Sequence, residues 1–231
     1  MHVAFFATYG LWTPHMGTEL ELAERHLRDG DEVTWVVCDG SLPACDSNPR
    51  HVHVDCLECR WKVASGLNAL SGDVRRIRLR SLLRAEDRRR MESLPTRFES
   101  ARDLEQLEFE GFDAGWAALS STVWTHRDVD VDLNEGLALA YLRASVRAYL
   151  ATLELFRRHD IDRIYAFNGR MAPLRGVLRA AEREGVPCHV HERGRDLQHY
   201  SISESSLVSQ VRCTRSVVRP MSWGRQPSKI E

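Results

Sequence analysis

Two residues near the start of the first predicted helix carry side chains that could move a proton. His15 lies in the first turn of that helix, and Glu19 lies one turn further along. A histidine titrates near neutral pH and could accept a proton from a hydroxyl group of a bound molecule, while the carboxylate could orient its ring. We therefore predict His15 and Glu19 as a catalytic pair. The alternative is an ordinary surface histidine at a helix start.

Polar residues also follow two later segments of strand-forming sequence. Guanidinium groups form paired hydrogen bonds with phosphates and carboxylates, so these loops would suit a negatively charged sugar or a diphosphate. A glycine after the first strand would let the backbone approach such a ligand closely. The alternative is that Glu192 pairs with a nearby arginine and only holds two loops together. The predicted ligand contacts are Gly10, Asn168, Arg170, Glu192, Arg193 and Arg195.

Four of the six cysteines fall within one short span, at Cys38, Cys45, Cys56 and Cys59. One CxxC pair with two further cysteines could supply four thiolates to a structural zinc ion. The spacing differs from that of two CxxC knuckles, so buried or free thiols are the first alternative and redox chemistry is the second. The sequence leaves these three interpretations open.

Apolar runs near both ends of the chain alternate with amphipathic segments in the order strand, helix, strand. Gly30 and Gly185 suit the exits of the two helices. A strand–helix–strand unit this short is typical of a parallel pair with a right-handed crossover. The predicted core strands cover residues 2–8, 32–38, 163–167 and 186–191, and the predicted helices cover residues 14–29, 135–158 and 171–184.

These elements predict an α/β fold with a Rossmann-like, doubly wound, mainly parallel sheet and a helical insertion. The insertion region also predicts short strands at residues 50–55 and 74–79, with a helix at residues 60–70. Ligands bind beyond the carboxyl ends of the strands in such sheets. We therefore expect His15 and at least two of the later loop residues to line a common pocket. The GxGxxG and GxxxxGK[ST] phosphate-binding motifs are both absent.

Composition bounds the class of protein. The chain has 231 residues and a formal net charge of −1. This lacks the excess of positive charge that is typical of nucleic-acid-binding proteins. No run of about twenty apolar residues predicts a membrane span, and the start has no signal-peptide pattern. We expect a cytoplasmic protein with one domain over residues 1–200. The serine-rich residues 201–231 predict a poorly ordered tail.

Two longer patterns resemble a known family. The opening FxxxxxLWTPHxxTELELAxxHLxxGDEVxxxxCDGxLxxC, followed by CxxC, and the later AFNGRMAPLRGVLRAAEREGVPCHVHERG cover much of residues 1–197. Both resemble the N-terminal domains of bacterial capsule and surface-polysaccharide biosynthesis proteins with a GT-B glycosyltransferase fold. The resemblance implies two Rossmann-like domains, of which the first binds the acceptor. Too few residues follow position 200 to form the second domain.

The first functional hypothesis is the transfer of a sugar from a nucleotide-sugar to a saccharide acceptor, as the acceptor-side domain of a glycosyltransferase. His15 would be the base, and arginines would stand near the leaving diphosphate. The second hypothesis is a non-catalytic domain that binds a sugar or a partner chain and carries a structural metal. The third is a small-molecule enzyme of another class, since fold alone does not define function. A homo-oligomer is left open.

Overall fold

A computed structural model describes residues 1–194, 199–205 and 219–220 of the chain. Its strands are β1 His2–Ala7, β2 Glu32–Val37, β3 Val74–Arg78, β4 Arg163–Phe167, β5 Cys188–Arg193, β6 His199–Ser205 and β7 Arg219–Pro220. Its helices are α1 Thr13–Arg28, α2 His53–Asn68, α3 Ala85–Glu92, α4 Ala101–Glu105, α5 Ala114–His126, α6 Leu137–Arg158 and α7 Ala172–Glu184, with a 3-10 turn at Leu79–Leu82.

The strands form one sheet in the order β3-β2-β1-β4-β5-β6-β7. Strands β1 to β5 are parallel, and β6 and β7 are antiparallel to their neighbours. The strand order reverses between β1 and β4, which makes their carboxyl ends the topological switch point of the sheet. The predicted Rossmann-like α/β fold is confirmed, including the parallel pairing of the first two strands.

Alternation along β1 sends its side chains into two separate cores. Val3 and Phe5 face the layer of α1 and α2, whereas Ala4 and Phe6 face α6 and α7. The ring of Phe5 stacks at 5.1 Å on Trp35 of β2 and at 4.9 Å on the tyrosine at position 165 of β4. This layer of rings holds the three central strands together on the α1 side.

A third core lies outside α6 and α7. There α5 and the shorter helices α3 and α4 cover the outer face of the helix pair, with Tyr141, Tyr149 and Phe112 among its fully buried side chains. The ring of Phe112 stacks on that of Tyr149 at 5.0 Å. The helical insertion predicted from the sequence is therefore a second apolar layer on one side of the sheet.

The sequence misplaced two segments. Residues 50–55, with alternating histidine and valine, were expected as a strand, but α2 begins at His53. Period-two alternation over so few residues does not distinguish a strand from the first turn of a helix. The predicted poorly ordered tail was expected from residue 201, but His199–Ser205 is strand β6. Tyr200 is buried in the α1-side core, which gives this segment its apolar anchor. Residues 206–218 and 221–231 lie outside the described part.

Helices α6 and α7 meet backbone to backbone at Gly176. A Cβ atom at this position would lie 2.3 Å from the carbonyl oxygen of Ser145 and 2.9 Å from the amide nitrogen of Tyr149. Neither backbone atom can move without shifting α6. The absence of a side chain at Gly176 therefore sets the distance between the two helices.

We predict that Gly176→Ala lowers the free energy of unfolding by roughly 2–3 kcal/mol, because the added methyl group overpacks the helix contact. The control is Gly66→Ala in α2, where the Cβ atom would meet only the side-chain tip of Leu20. That tip can turn away, and alanine favours a helix more than glycine does. Urea denaturation of both variants measures the difference, and equal stabilities would contradict the prediction.

Candidate functional site

The candidate site, called the crevice below, is the edge of the sheet at the switch point, where the chain leaves β1 and β4. Tyr9 and Trp12 follow β1, and Asn168 follows β4 directly. His15 stands in the first turn of α1 and packs on Phe167, with a ring-centroid distance of 3.8 Å. The structure thus brings the first loop and the β4 loop together, as the parallel topology requires.

His15 is half-buried and lies at the same edge as β5. Its ring centroid is 6.5 Å from that of His191. Burial, together with the nearby His191 and Arg193, lowers the pKa of His15 to about 4. The imidazole is therefore neutral at pH 7. Within the described residues its contacts are with aromatic rings, and no hydrogen-bond partner orients it.

A fully buried hydrogen-bond network lies beneath this histidine. Tyr9 Oη donates to Glu19 Oε1 at 2.5 Å and accepts from the amide of Phe167 at 3.1 Å. His191 Nε2 lies 3.1 Å from the same Glu19 oxygen. Burial and the adjacent carboxylate raise the pKa of Tyr9 well above its usual value, so the phenol keeps its proton and donates it.

The pairing of Glu19 with His15 is not found. Glu19 is fully buried, and its hydrogen-bond partners are Tyr9 and His191. Helical geometry does place side chains four residues apart on one face. The side chain of Glu19, however, points inward, beneath the crevice and towards β4 and β5, and so away from His15. The sequence analysis did not single out Tyr9 or His191. Each stands at the carboxyl end of a predicted strand, and that position was the sequence signal that could have identified them as site residues.

Asn168 and Glu192 form a second pair at the same edge. Asn168 has a left-handed backbone with φ of 63°, and its side-chain amide donates to Glu192 Oε1. Its side-chain oxygen accepts from the amide of Arg170 at 3.0 Å. Burial raises the pKa of Glu192. The carboxyl group is thus half-buried and held by an amide rather than by a guanidinium.

The guanidinium groups of Arg170 and Arg193 are exposed, and neither has a hydrogen-bond or ion-pair partner in the described part of the chain. Arg170 lies close enough to Glu192 to affect its pKa, and Arg193 does the same to His15. Glu192 and Arg193 were expected in a loop, but pairing with β6 extends β5 through both. Arg195 lies outside the described residues.

The structure gives Gly10 a packing role. A Cβ atom there would lie 2.7 Å from the carbonyl oxygen of Cys59 and 2.7 Å from a methyl group of Val63. The first loop therefore presses against α2 at this point. Close packing explains a glycine at position 10 without a ligand, and its predicted ligand contact stays a prediction.

The sequence also missed Asp46, a carboxyl group in the loop after β2. It is only 8% exposed and accepts a hydrogen bond from Ser121 at 2.6 Å. Burial raises its pKa to about 6. A loop carboxylate carries no sequence sign of burial, because the serine that meets it lies 75 positions away on α5.

The four clustered cysteines come from one region but do not form a metal site as they stand. In the described part of the chain, no group of three or more histidine, cysteine, aspartate or glutamate side chains could hold a metal ion. Burial raises the pKa of Cys38 to about 11 and that of Cys45 to about 12, and it also raises the pKa of Cys59. Protonated thiols are poor nucleophiles, which disfavours the redox interpretation and leaves buried thiols and a structural metal as the two open interpretations.

Comparisons with known proteins assign no function. No family model matches the chain, and no curated protein matches it. Among solved structures, the chain is similar to tyrosyl-tRNA synthetase of Leishmania major in complex with tyrosinol, with 13% identity and a TM-score of 0.46. The similarity covers 84% of this chain and 26% of that one. A structural similarity this weak gives no information about the function of this chain.

The resemblance to GT-B proteins of capsule and surface-polysaccharide biosynthesis is therefore wrong as a family assignment. No comparison with families or curated proteins returns it. None of the helices in the described ranges is long and apolar enough to cross a membrane. The class that the structure supports is a Rossmann-like α/β protein with polar and aromatic side chains gathered at its switch point.

We predict that Glu19→Ala lowers the free energy of unfolding by roughly 3 kcal/mol, because it leaves Tyr9 and His191 buried without their shared partner. Glu21→Ala is the matched control. It removes an ion pair with Arg25 on the outer side of the same helix, and such pairs contribute less than about 0.5 kcal/mol. Chemical denaturation compares the two variants, and a loss for Glu19→Ala no larger than that of the control would refute the structural role.

We expect protein purified without added metal to hold less than about 0.2 equivalents of zinc or iron, because a site whose ligands are not arranged around an ion does not retain it. Elemental analysis measures this directly. A value near one equivalent, with loss of stability in Cys59→Ser and on chelation, would instead establish the four-thiolate metal site.

Proposed function

We propose that the chain binds an anionic, hydroxyl-rich small molecule of the sugar-phosphate or nucleotide-sugar class in the crevice at the switch point. The observation that carries the proposal is a pair of guanidiniums, Arg170 and Arg193, that flank the half-buried Asn168–Glu192 pair and have no hydrogen-bond or ion-pair partner in the part of the chain that the structure describes. The two kinds of group suit the two ends of such a ligand.

The arginines supply the anion-binding side. Guanidinium forks bind phosphate oxygens with paired, charge-assisted hydrogen bonds. Many surface arginines of this chain are already held in ion pairs, such as Arg84 with Asp87 and Arg157 with Glu154. Arg170 and Arg193 have no such partner among the described residues, so a ligand phosphate would displace none of the described carboxylates from either.

The groups between them supply the hydroxyl-binding side. Glu192 accepts hydrogen bonds, and the neutral His15 either donates or accepts. Trp124 is 36% exposed and packs on Trp12 with ring centroids 5.5 Å apart, which adds an apolar face beside the crevice. Ligand sites commonly combine a few fixed polar groups with aromatic surface in this way.

Binding is better supported than sugar transfer. A general base works best when its pKa lies near the working pH, whereas the pKa of His15 is about 4. The carboxylate expected to orient it, Glu19, is committed to the buried network. Sugar transfer with His15 as base stays a prediction, and His15→Ala in a chain with turnover would test it.

We expect uridine diphosphate glucose to raise the melting temperature of the protein, because a ligand that binds only the folded state stabilises it. Arg170→Ala and Arg193→Ala should each weaken the affinity by roughly tenfold, since a hydrogen bond to a charged group contributes about 1.5 kcal/mol. Calorimetric titration measures the affinities.

Arg89→Ala provides the matched control, because Arg89 is an exposed arginine on α3, away from the crevice. Glucose 1-phosphate and free glucose separate the contributions of phosphate and sugar. The proposal fails if none of these ligands stabilises the native protein, or if the control variant weakens binding as much as the two crevice variants do.

A further inference from the structure

Helix α2 carries large apolar side chains on its inner and its outer side. Val63 and Leu67 face inward and are buried in the core beside α1. Val54, Leu57 and Trp61 point outward, with exposed fractions of 65%, 48% and 68%. A surface helix normally has charged and polar residues on its outer side. The outer side of α2 departs from that rule, and no residue in the described ranges covers it.

The exposed apolar surface of the described chain is concentrated at this helix. Four of the seven exposed large apolar side chains in those ranges lie on α2 or directly before it: Val52, Val54, Leu57 and Trp61. Single apolar residues scattered over a surface are ordinary, whereas a contiguous patch marks an interaction site. Tryptophan is also among the residue types that contribute most to binding energy at interfaces.

The spacing of these residues indicates what kind of surface fits them. Val54, Leu57, Trp61 and Ala64, here called the outer stripe, follow one another at intervals of three, four and three residues. Such spacing lines side chains up along one face of a helix and forms the seam through which helices pair with helices. A second α2, carrying the same seam, is a partner of matching shape.

The charges on the two flanks of the outer stripe distinguish the ways in which two copies could meet. At 3.6 residues per turn, Arg60 lies on one flank and Asp55, Glu58 and Lys62 lie on the other. Lys62 pairs with Glu58 at 2.7 Å, so the second flank keeps one excess negative charge. When two parallel helices are related by a two-fold axis, opposite flanks meet, and the charges are complementary. In an antiparallel pair, like flanks would meet.

We propose that the chain forms a symmetric dimer in which the outer stripe of α2 packs, in parallel, against that of a second copy. A standard interface buries about 800 Å² of each partner. The outer stripe would be its apolar centre, and the charged flanks would be its rim. The dimer is independent of the proposed ligand, although α2 also packs against the first loop of the crevice at Gly10.

A matched pair of valine variants tests the stripe. Val54→Glu places a carboxylate in the seam, where burial without a cation is costly, so we expect it to weaken the dimer by roughly a hundredfold or more. Val129→Glu is the control, because Val129 is equally well exposed but lies outside α2. Sedimentation equilibrium over a range of concentrations measures the dimer affinity of both variants. A carboxylate in the first turn of α2 suits the helix, and circular dichroism checks that both variants are folded.

A charge exchange tests the parallel arrangement. Arg60→Glu and Glu58→Arg each bring like charges together across the interface, and each should weaken the dimer by roughly fivefold, since the contact occurs twice. The double variant restores opposite charges and should recover most of the native affinity. An antiparallel pair would keep like flanks together in every variant, so this recovery would not appear.

The outcomes are decisive in either direction. A native protein that stays monomeric up to near-millimolar concentration overturns the proposal. A dimer that Val54→Glu weakens no more than Val129→Glu does also overturns it, because the interface then lies elsewhere. Absence of recovery in the double charge variant overturns the parallel arrangement. Binding of a native monomer to vesicles of anionic phospholipid, lost in Trp61→Ala, would assign the outer stripe to a membrane surface instead.

Discussion

The buried carboxyl group of Glu19 is the interaction on which the arrangement of the crevice depends. It joins α1 to the end of β1 through Tyr9 and to β5 through His191, while Tyr9 also accepts from the backbone of β4. Three strands and a helix therefore meet at one carboxylate that water does not reach. Isolated buried charges are costly, so this network is stable only when its donors are in place, and it fixes the strand ends relative to each other.

The aromatic and polar groups of the crevice follow from that constraint. The backbone amide of Phe167 donates a hydrogen bond to Tyr9, and the ring of Phe167 packs against that of His15. The next residue, Asn168, adopts a left-handed backbone and turns its amide towards Glu192. The crevice is thus polar at its surface and supported from beneath by hydrogen bonds.

Much of the fold could be predicted from the sequence, because strong local signals agreed with the global arrangement. The β1–α1–β2 unit and the α7 exit at Gly185 carried apolar periodicity and glycine together. The start of α2 and strand β6 could not, since a few alternating residues fit either type and Tyr200 acquires its apolar surroundings only in the folded chain. The site was predictable at the level of which loops meet. The contact of Glu19 with His191 and the burial of Asp46 depend on residues far along the chain, which periodicity does not reveal.

The close approach of α6 and α7 at Gly176 has a consequence for ligand recognition. Because the two backbones touch, α7 cannot tilt independently, and the Ala172 amide that holds Ser121 keeps one position. The start of α7, directly after the β4 loop that carries Asn168 and Arg170, is therefore ordered before any ligand binds. Preorganisation of this kind strengthens binding by lowering the ordering cost at association. It also limits the range of ligand shapes that this side of the crevice accommodates, so selectivity would reside there and adaptability in the exposed arginines.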